Sequence, residues 1–92
     1  MPKKVITLKG GKKATLIEMS VDTFDECMDA VQIETKIVDG KEQALVKNQF
    51  SVSTLWIRNG VEKATDKFIK SLSIEERAEL QIAIQEYNSL GE

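Results

Sequence analysis

Residues 48–91 read NQFSVSTLWIRNGVEKATDKFIKSLSIEERAELQIAIQEYNSLG, and their spacing decides the fold. Phe50, Thr54, Ile57, Val61, Ala64 and Phe68 fall on one face of a helical period, and Leu72 follows them. Ser73-Ile74-Glu75-Glu76 then has the form of a capping box, in which a hydroxyl and a carboxylate three residues apart satisfy each other's backbone N–H groups. The spacing therefore predicts helices packed through a shared apolar face. One should run through Trp56 to a stop or kink at Asn59-Gly60, where glycine fits a left-handed cap. A second, over 61–71, should turn Val61, Ala64, Phe68, Ile69 and Leu72 inward. The last should start at Ser73, bury Ile74, Ala78, Leu80, Ile84, Tyr87 and, less regularly, Ile82, and close on a C-cap signal at 88–91.

Before this half, Val5, Thr7 and Lys9 alternate with Ile6 and Leu8, Gly10-Gly11 supplies a turn, and a β-like run resumes at Thr15, Leu16 and Ile17. That pattern predicts a β-hairpin whose lysines at 3, 4, 9, 12 and 13 guard its edges against strand pairing. A first helix should follow, capped by Ser20 or Thr23, with Phe24, Cys27, Met28, Val31 and Ala30 as its buried stripe. Residues 34–48 admit two readings. Ile33, Thr35, Ile37 and Val38 before Asp39-Gly40, with Ala44, Leu45 and Val46 after it, suit a second hairpin on a type I′ turn. Alternatively, the phase of Val46 and Phe50 suits a helix starting by about residue 43, after a mobile segment near 34–42. The expected fold class is α+β, mostly α: an N-terminal β-hairpin (1–19) and a small bundle of three to four helices (20–92), in one domain spanning 1–92.

Composition narrows the chemistry. The chain has no His and one Cys, so it lacks the usual base for nucleophilic catalysis, an intramolecular disulfide and any multi-Cys zinc site. No catalytic, cofactor-binding or metal-ligating residue is assigned. The acidic residues Asp22, Asp25, Glu26 and Asp29 share a helix exterior, which splays carboxylates apart where a hard cation needs them to converge. Gly10-Gly11-Lys12-Lys13 lacks the spacing and the following hydroxyl of a phosphate loop. No apolar run reaches the length of a membrane span, and no signal-peptide core opens the chain.

The net charge of −2 is laid out in blocks: +4 over 1–20, −5 over 21–45, +3 over 46–73 and −4 over 74–92. Opposed blocks favour docking on a protein, or self-association into a homo-oligomer, over nucleic-acid binding. The residues with binding potential are Phe50, Val52, Leu55, Trp56, Ile57 and Arg58. So many apolar residues in so short a stretch cover more than one helix face, so the helix is either buried on both sides or faces a partner on one. Trp56 can serve as a core anchor or as part of that partner face, and Arg58 beside it can cover the ring or pair with an acidic surface.

The basic hairpin (3–18), the acidic middle helix (20–31) and the C-terminal runs Trp56-Ile57-Arg58-Asn59-Gly60-Val61, Leu72-Ser73-Ile74-Glu75-Glu76-Arg77 and Glu86-Tyr87-Asn88-Ser89-Leu90-Gly91-Glu92 resemble, in layout, the small tail assembly chaperones of long-tailed bacteriophages. The resemblance implies a non-enzymatic protein of the host cytoplasm that binds the tape-measure protein and helps recruit tail-tube subunits. It also implies Gly91-Glu92 as the place from which a frameshifted longer form would extend. The contrasting expectation is a structural virion component or adaptor that docks by strand addition to the N-terminal hairpin. A nucleic-acid-binding regulator is disfavoured by the acidic balance and the lack of a basic recognition helix.

Overall fold

A computed structural model describes residues 3–89, and the C-terminal Leu90, Gly91 and Glu92, with the extension point and part of the C-cap expected there, lie outside it. The chain runs β1 (Lys3–Thr7), β2 (Lys13–Ile17), α1 (Val21–Asp29), β3 (Ile33–Val38), β4 (Lys41–Val46), α2 (Gln49–Gly60), α3 (Asp66–Lys70) and α4 (Ile74–Ser89). It is a small α+β fold, and its described residues form two separate antiparallel hairpins and four helices. The expected bundle is replaced by a different packing. Helix α4 lies on one side of α2, and α1 and β2 pack on α2 as well.

The first hairpin forms where the alternation placed it. Lys3 pairs with Ile17 and Thr7 with Lys13, and the connecting loop is closed by the Leu8 N–H donating to the Lys12 carbonyl at 2.8 Å, with Gly11 at a φ of 90°. Its inward residues Leu8, Ala14 and Leu16 are buried. Two of its lysines are tied to the helical half: Lys3 to Glu62 at 2.9 Å and Lys12 to Glu76 at 3.0 Å, and Lys12 also donates to the Ser71 carbonyl.

Ser20 caps α1, accepting from the Thr23 N–H at 3.1 Å. Cys27 is fully buried, and Phe24 meets Trp56 edge-on at a centroid separation of 5.4 Å. Met28, expected in that stripe, is exposed, because α1 touches the core along a narrow line only. Burial, and secondarily Glu26, pushes the Cys27 thiol pKa up, which keeps it protonated.

Of the two readings of 34–48, the hairpin holds and the helical start near residue 43 does not. Asp39 and Gly40 both take positive φ, 53° and 76°, which is the geometry of a type I′ turn, and Val38 pairs with Lys41 across it. Residues 34–42 thus lie in the two strands and the turn that joins them. Helix α2 begins only at Gln49.

Two further corrections concern the middle of the helical half. Gly60 ends α2, but the requirement for glycine there is space: a Cβ would run into Ile84 Cγ2 and come within 3.0 Å of Met19 Cε. The helix expected over 61–71 shrinks to α3. Val61 is extended and bridges Leu16 of β2, while the Glu62 N–H donates to the Thr15 carbonyl at 2.9 Å. Lys63 then reverses the chain at a φ of 57°, and Thr65 caps α3 by accepting from the Phe68 N–H at 3.2 Å. The sheet edge has outcompeted the helix for these backbone groups.

The capping box at α4 forms as read. The Glu76 N–H donates to Ser73 Oγ at 3.1 Å, and the Ser73 N–H donates to Glu76 Oε1 at 2.8 Å. Leu80 and Ile84 are buried and Tyr87 is partly so, whereas Ile74, Ala78 and Ile82 face outward. That displacement of three apolar residues to the surface defines the site described next.

Candidate functional site

Helix α2 presents the stretch in which binding residues were expected, and the structure divides it. Val52, Trp56 and Ile57 are spent inside the protein, Trp56 and Ile57 with no exposed surface at all. Their surroundings are Leu16, Val61, Leu80 and Ile84, members of the same core. Leu55 is half-buried against that core. Arg58 is exposed and paired with Asp66, which holds the Asp66 carboxyl below its usual range by hydrogen bonding and charge. Phe50 alone of the set is a large, freely presented apolar side chain, 52% exposed. Trp56 therefore acts as the core anchor, and the outward surface belongs to the first turn of α2.

Phe50 stands at the wall of a groove of about 290 Å³ between α2, α4 and the base of the second hairpin. Val31 and Val46 form its hairpin side, and Ile74, Ala78 and Ile82 its α4 side. These are the α4 residues that face away from the core. Val46, Phe50, Ile74 and Ile82 are each more than two-fifths exposed, so the groove offers a contiguous apolar surface.

Arg77 carries the charge of the groove lining. Its Nη2 donates to the Phe50 carbonyl at 3.2 Å and to Thr54 Oγ1, and the guanidinium carbon lies 6.0 Å from the centre of the Phe50 ring. It thereby braces the first turn of α2 from outside and holds the Phe50 ring in place. Arg77 Nε is buried without a hydrogen-bond partner. Sequence periodicity had no signal for Arg77, because its role depends on α4 crossing the start of α2.

The hairpin is fixed to this site by Asn48. Its side chain makes no cap bond to α2; instead Oδ1 accepts from the Gln32 N–H at 2.9 Å and Nδ2 donates to the Ala30 carbonyl at 2.8 Å. One residue thus joins the end of α1, the base of β3 and the start of α2. Beyond this clip every residue of β3 and β4 is exposed.

Among the described residues, no group of three or more His, Cys, Asp or Glu is placed to hold a metal ion, and no helix is long and apolar enough to cross a membrane. Compared with models of known families, with curated proteins and with solved structures, the chain matches none.

Proposed function

We propose that this chain is a non-enzymatic tail assembly chaperone of a long-tailed bacteriophage, acting in the host cytoplasm to bind the tape-measure protein and help recruit tail-tube subunits. The observation that carries the reading is the apolar groove walled by Val46, Phe50, Ile74 and Ile82. A shallow apolar trough of this kind suits one face of an amphipathic helix, read at helical spacing. A tape-measure protein is a long helical partner, and covering its apolar stripe would keep it soluble until tube subunits displace the cover. Arg77 favours a partner helix that sets a carboxylate beside its apolar residues. Repeated weak contacts along such a partner hold it through avidity, without tight individual affinity.

Co-expression with the tape-measure protein tests this. The expected outcome is that the tape measure becomes soluble only in the presence of this chain, and that the Phe50→Ala/Ile82→Ala variant loses the rescue while keeping its own thermal transition. Failure to bind the tape measure, together with presence of the chain in finished particles, would replace the chaperone with a structural component docking through the first hairpin. On that hairpin the outer edge of β2 is already met by Val61 and Glu62, which leaves β1 as the strand open to addition.

A further inference from the structure

Strand β3 carries a pattern that neither the fold nor the groove uses. It reads Ile33-Glu34-Thr35-Lys36-Ile37-Val38, and around Thr35 it is complementary to itself in the antiparallel sense. Set against a second copy with Thr35 opposite Thr35, each Ile33 meets Ile37 and each Glu34 meets Lys36.

The backbone supports this register independently of the side chains. The Lys47 N–H donates to the Gln32 carbonyl at 2.7 Å, which makes 32 and 47 a hydrogen-bonded pair of the hairpin. Such pairs alternate along an antiparallel ladder, so the pairs 34 with 45, 36 with 43 and 38 with 41 bond in the same way. The N–H and C=O groups of Ile33, Thr35 and Ile37 therefore point away from β4, along the free edge. A dimer centred on Thr35 needs those three residues to bond across the two-fold axis. It leaves Glu34 and Lys36 at the intervening positions, where facing side chains lie closest.

The faces agree as well. Ile33 shares a face with Val46, and Thr35 with Ala44, through their pairing in the hairpin, and Ile37 follows two residues on from Thr35. Ile33 is 67% exposed and Ile37 75% exposed. Joining two copies along β3 would unite these residues on one face of a four-stranded sheet, mainly apolar, with Glu42 beside Ile37 at its outer end. A two-stranded hairpin is marginal by itself, whereas three or more strands with an apolar face are not. On the other face each Glu34 carboxylate would have an ammonium across the strand and another two residues along it. Among the described residues neither Glu34 nor Lys36 has an ion-pair partner within the chain.

The other free edges lack this complementarity. On β4, a register centred on Ala44 sets Glu42 against Val46 and Gln43 against Leu45. On β1, a register centred on Val5 sets Lys3 against Thr7 and Lys4 against Ile6, so no lysine meets an opposite charge.

We propose that this chain forms a two-fold symmetric dimer through antiparallel pairing of β3 with β3 of a second copy, in the register that places Thr35 opposite itself. The interface is isologous, so each charged pair occurs twice. The proposal does not depend on the identity of the groove's occupant.

Sedimentation equilibrium on the whole chain and on two charge variants tests it. The native chain should sediment at twice its 10.3 kDa mass. Glu34→Lys sets lysine against lysine and Lys36→Glu sets glutamate against glutamate. Each should weaken self-association by roughly tenfold or more while far-UV circular dichroism stays native. Mixing the two variants should restore a dimer, because every lysine at the interface of one variant then faces a glutamate of the other. The double variant, with the two charges exchanged, should dimerise by itself. The proposal is overturned if the native chain stays monomeric up to about 1 mM, if either single variant dimerises as well as the native chain, or if mixing restores nothing. A dimer abolished by Phe50→Ala but indifferent to both charge variants would also overturn it, and would assign the contact to the groove instead.

Discussion

The molecule contains two β-hairpins of similar length, and they have opposite fates. In β1–β2 the inward residues are absorbed by the helices, with Leu16 only 2% exposed, and lysines on the hairpin reach carboxylates of the helical half. In β3–β4 the strand pairing is just as regular, yet Leu45 is 45% exposed and nothing in the strands is buried. Strand pattern alone makes a hairpin; what the apolar face meets decides whether it becomes core or surface. The radius of gyration, 14.5 Å, exceeds the roughly 12 Å of a compact chain this size, as expected when an element stands out from the body.

Substitutions at matched positions probe this contrast. The largest effect should come from Trp56→Ala, which empties the core on which β2 and α1 both rest and should cost about 3–5 kcal/mol in a denaturant melt. Leu16→Ala should cost about 2–5 kcal/mol, while the equivalent change on the other hairpin, Leu45→Ala, should cost under about 1 kcal/mol. Equal costs at these two positions would erase the distinction. Gly60→Ala should cost about 1–3 kcal/mol, since the added methyl forces α2 away from Ile84.

A smaller effect separates the hairpins by pH. The Ser73 backbone N–H, followed by Lys12, holds the Glu76 carboxyl below its ordinary value of 4.5, and Lys3 does the same for Glu62. A carboxyl lowered in the folded state adds stability that is present above its unfolded pKa and lost as pH falls through the folded one. The thermal midpoint should therefore fall as pH drops below about 4.5, and Glu76→Gln should lower it at neutral pH and flatten part of that dependence. An unchanged pH profile in Glu76→Gln would mean that the tie from Lys12 to Glu76 does not hold the first hairpin down.

Much of the fold was legible where the determinants are local. The caps at Ser20 and Ser73 and the turns at Gly10-Gly11 and Asp39-Gly40 depend on residues within a few positions of each other. The failures share a different cause. Val46 and Phe50 happen to keep helical phase across a strand end, so periodicity ran α2 too far back. Val61 continues the apolar face of a helix, but Thr15 and Leu16, distant in sequence, claim the backbone around it. Likewise Ile74, Ala78 and Ile82 match a buried stripe, while only the tertiary arrangement shows that α2 covers Leu80 and Ile84 instead. Of the residues expected to bind, only Phe50 is presented as a large apolar surface, and the role of Asn48 as a clip and that of Arg77 as a brace arise from contacts no spacing encodes.

Hydrogen–deuterium exchange of the chain, free and mixed with a soluble helical segment of the proposed tape-measure partner, would test whether the groove, and not the first hairpin, is the site of binding. The β1–β2 hairpin should be protected in the free chain and unchanged on binding, while protection is gained at the start of α2 and around Ile74, Ala78 and Ile82. Protection gained on β1–β2, with the groove unaltered, would contradict the assignment.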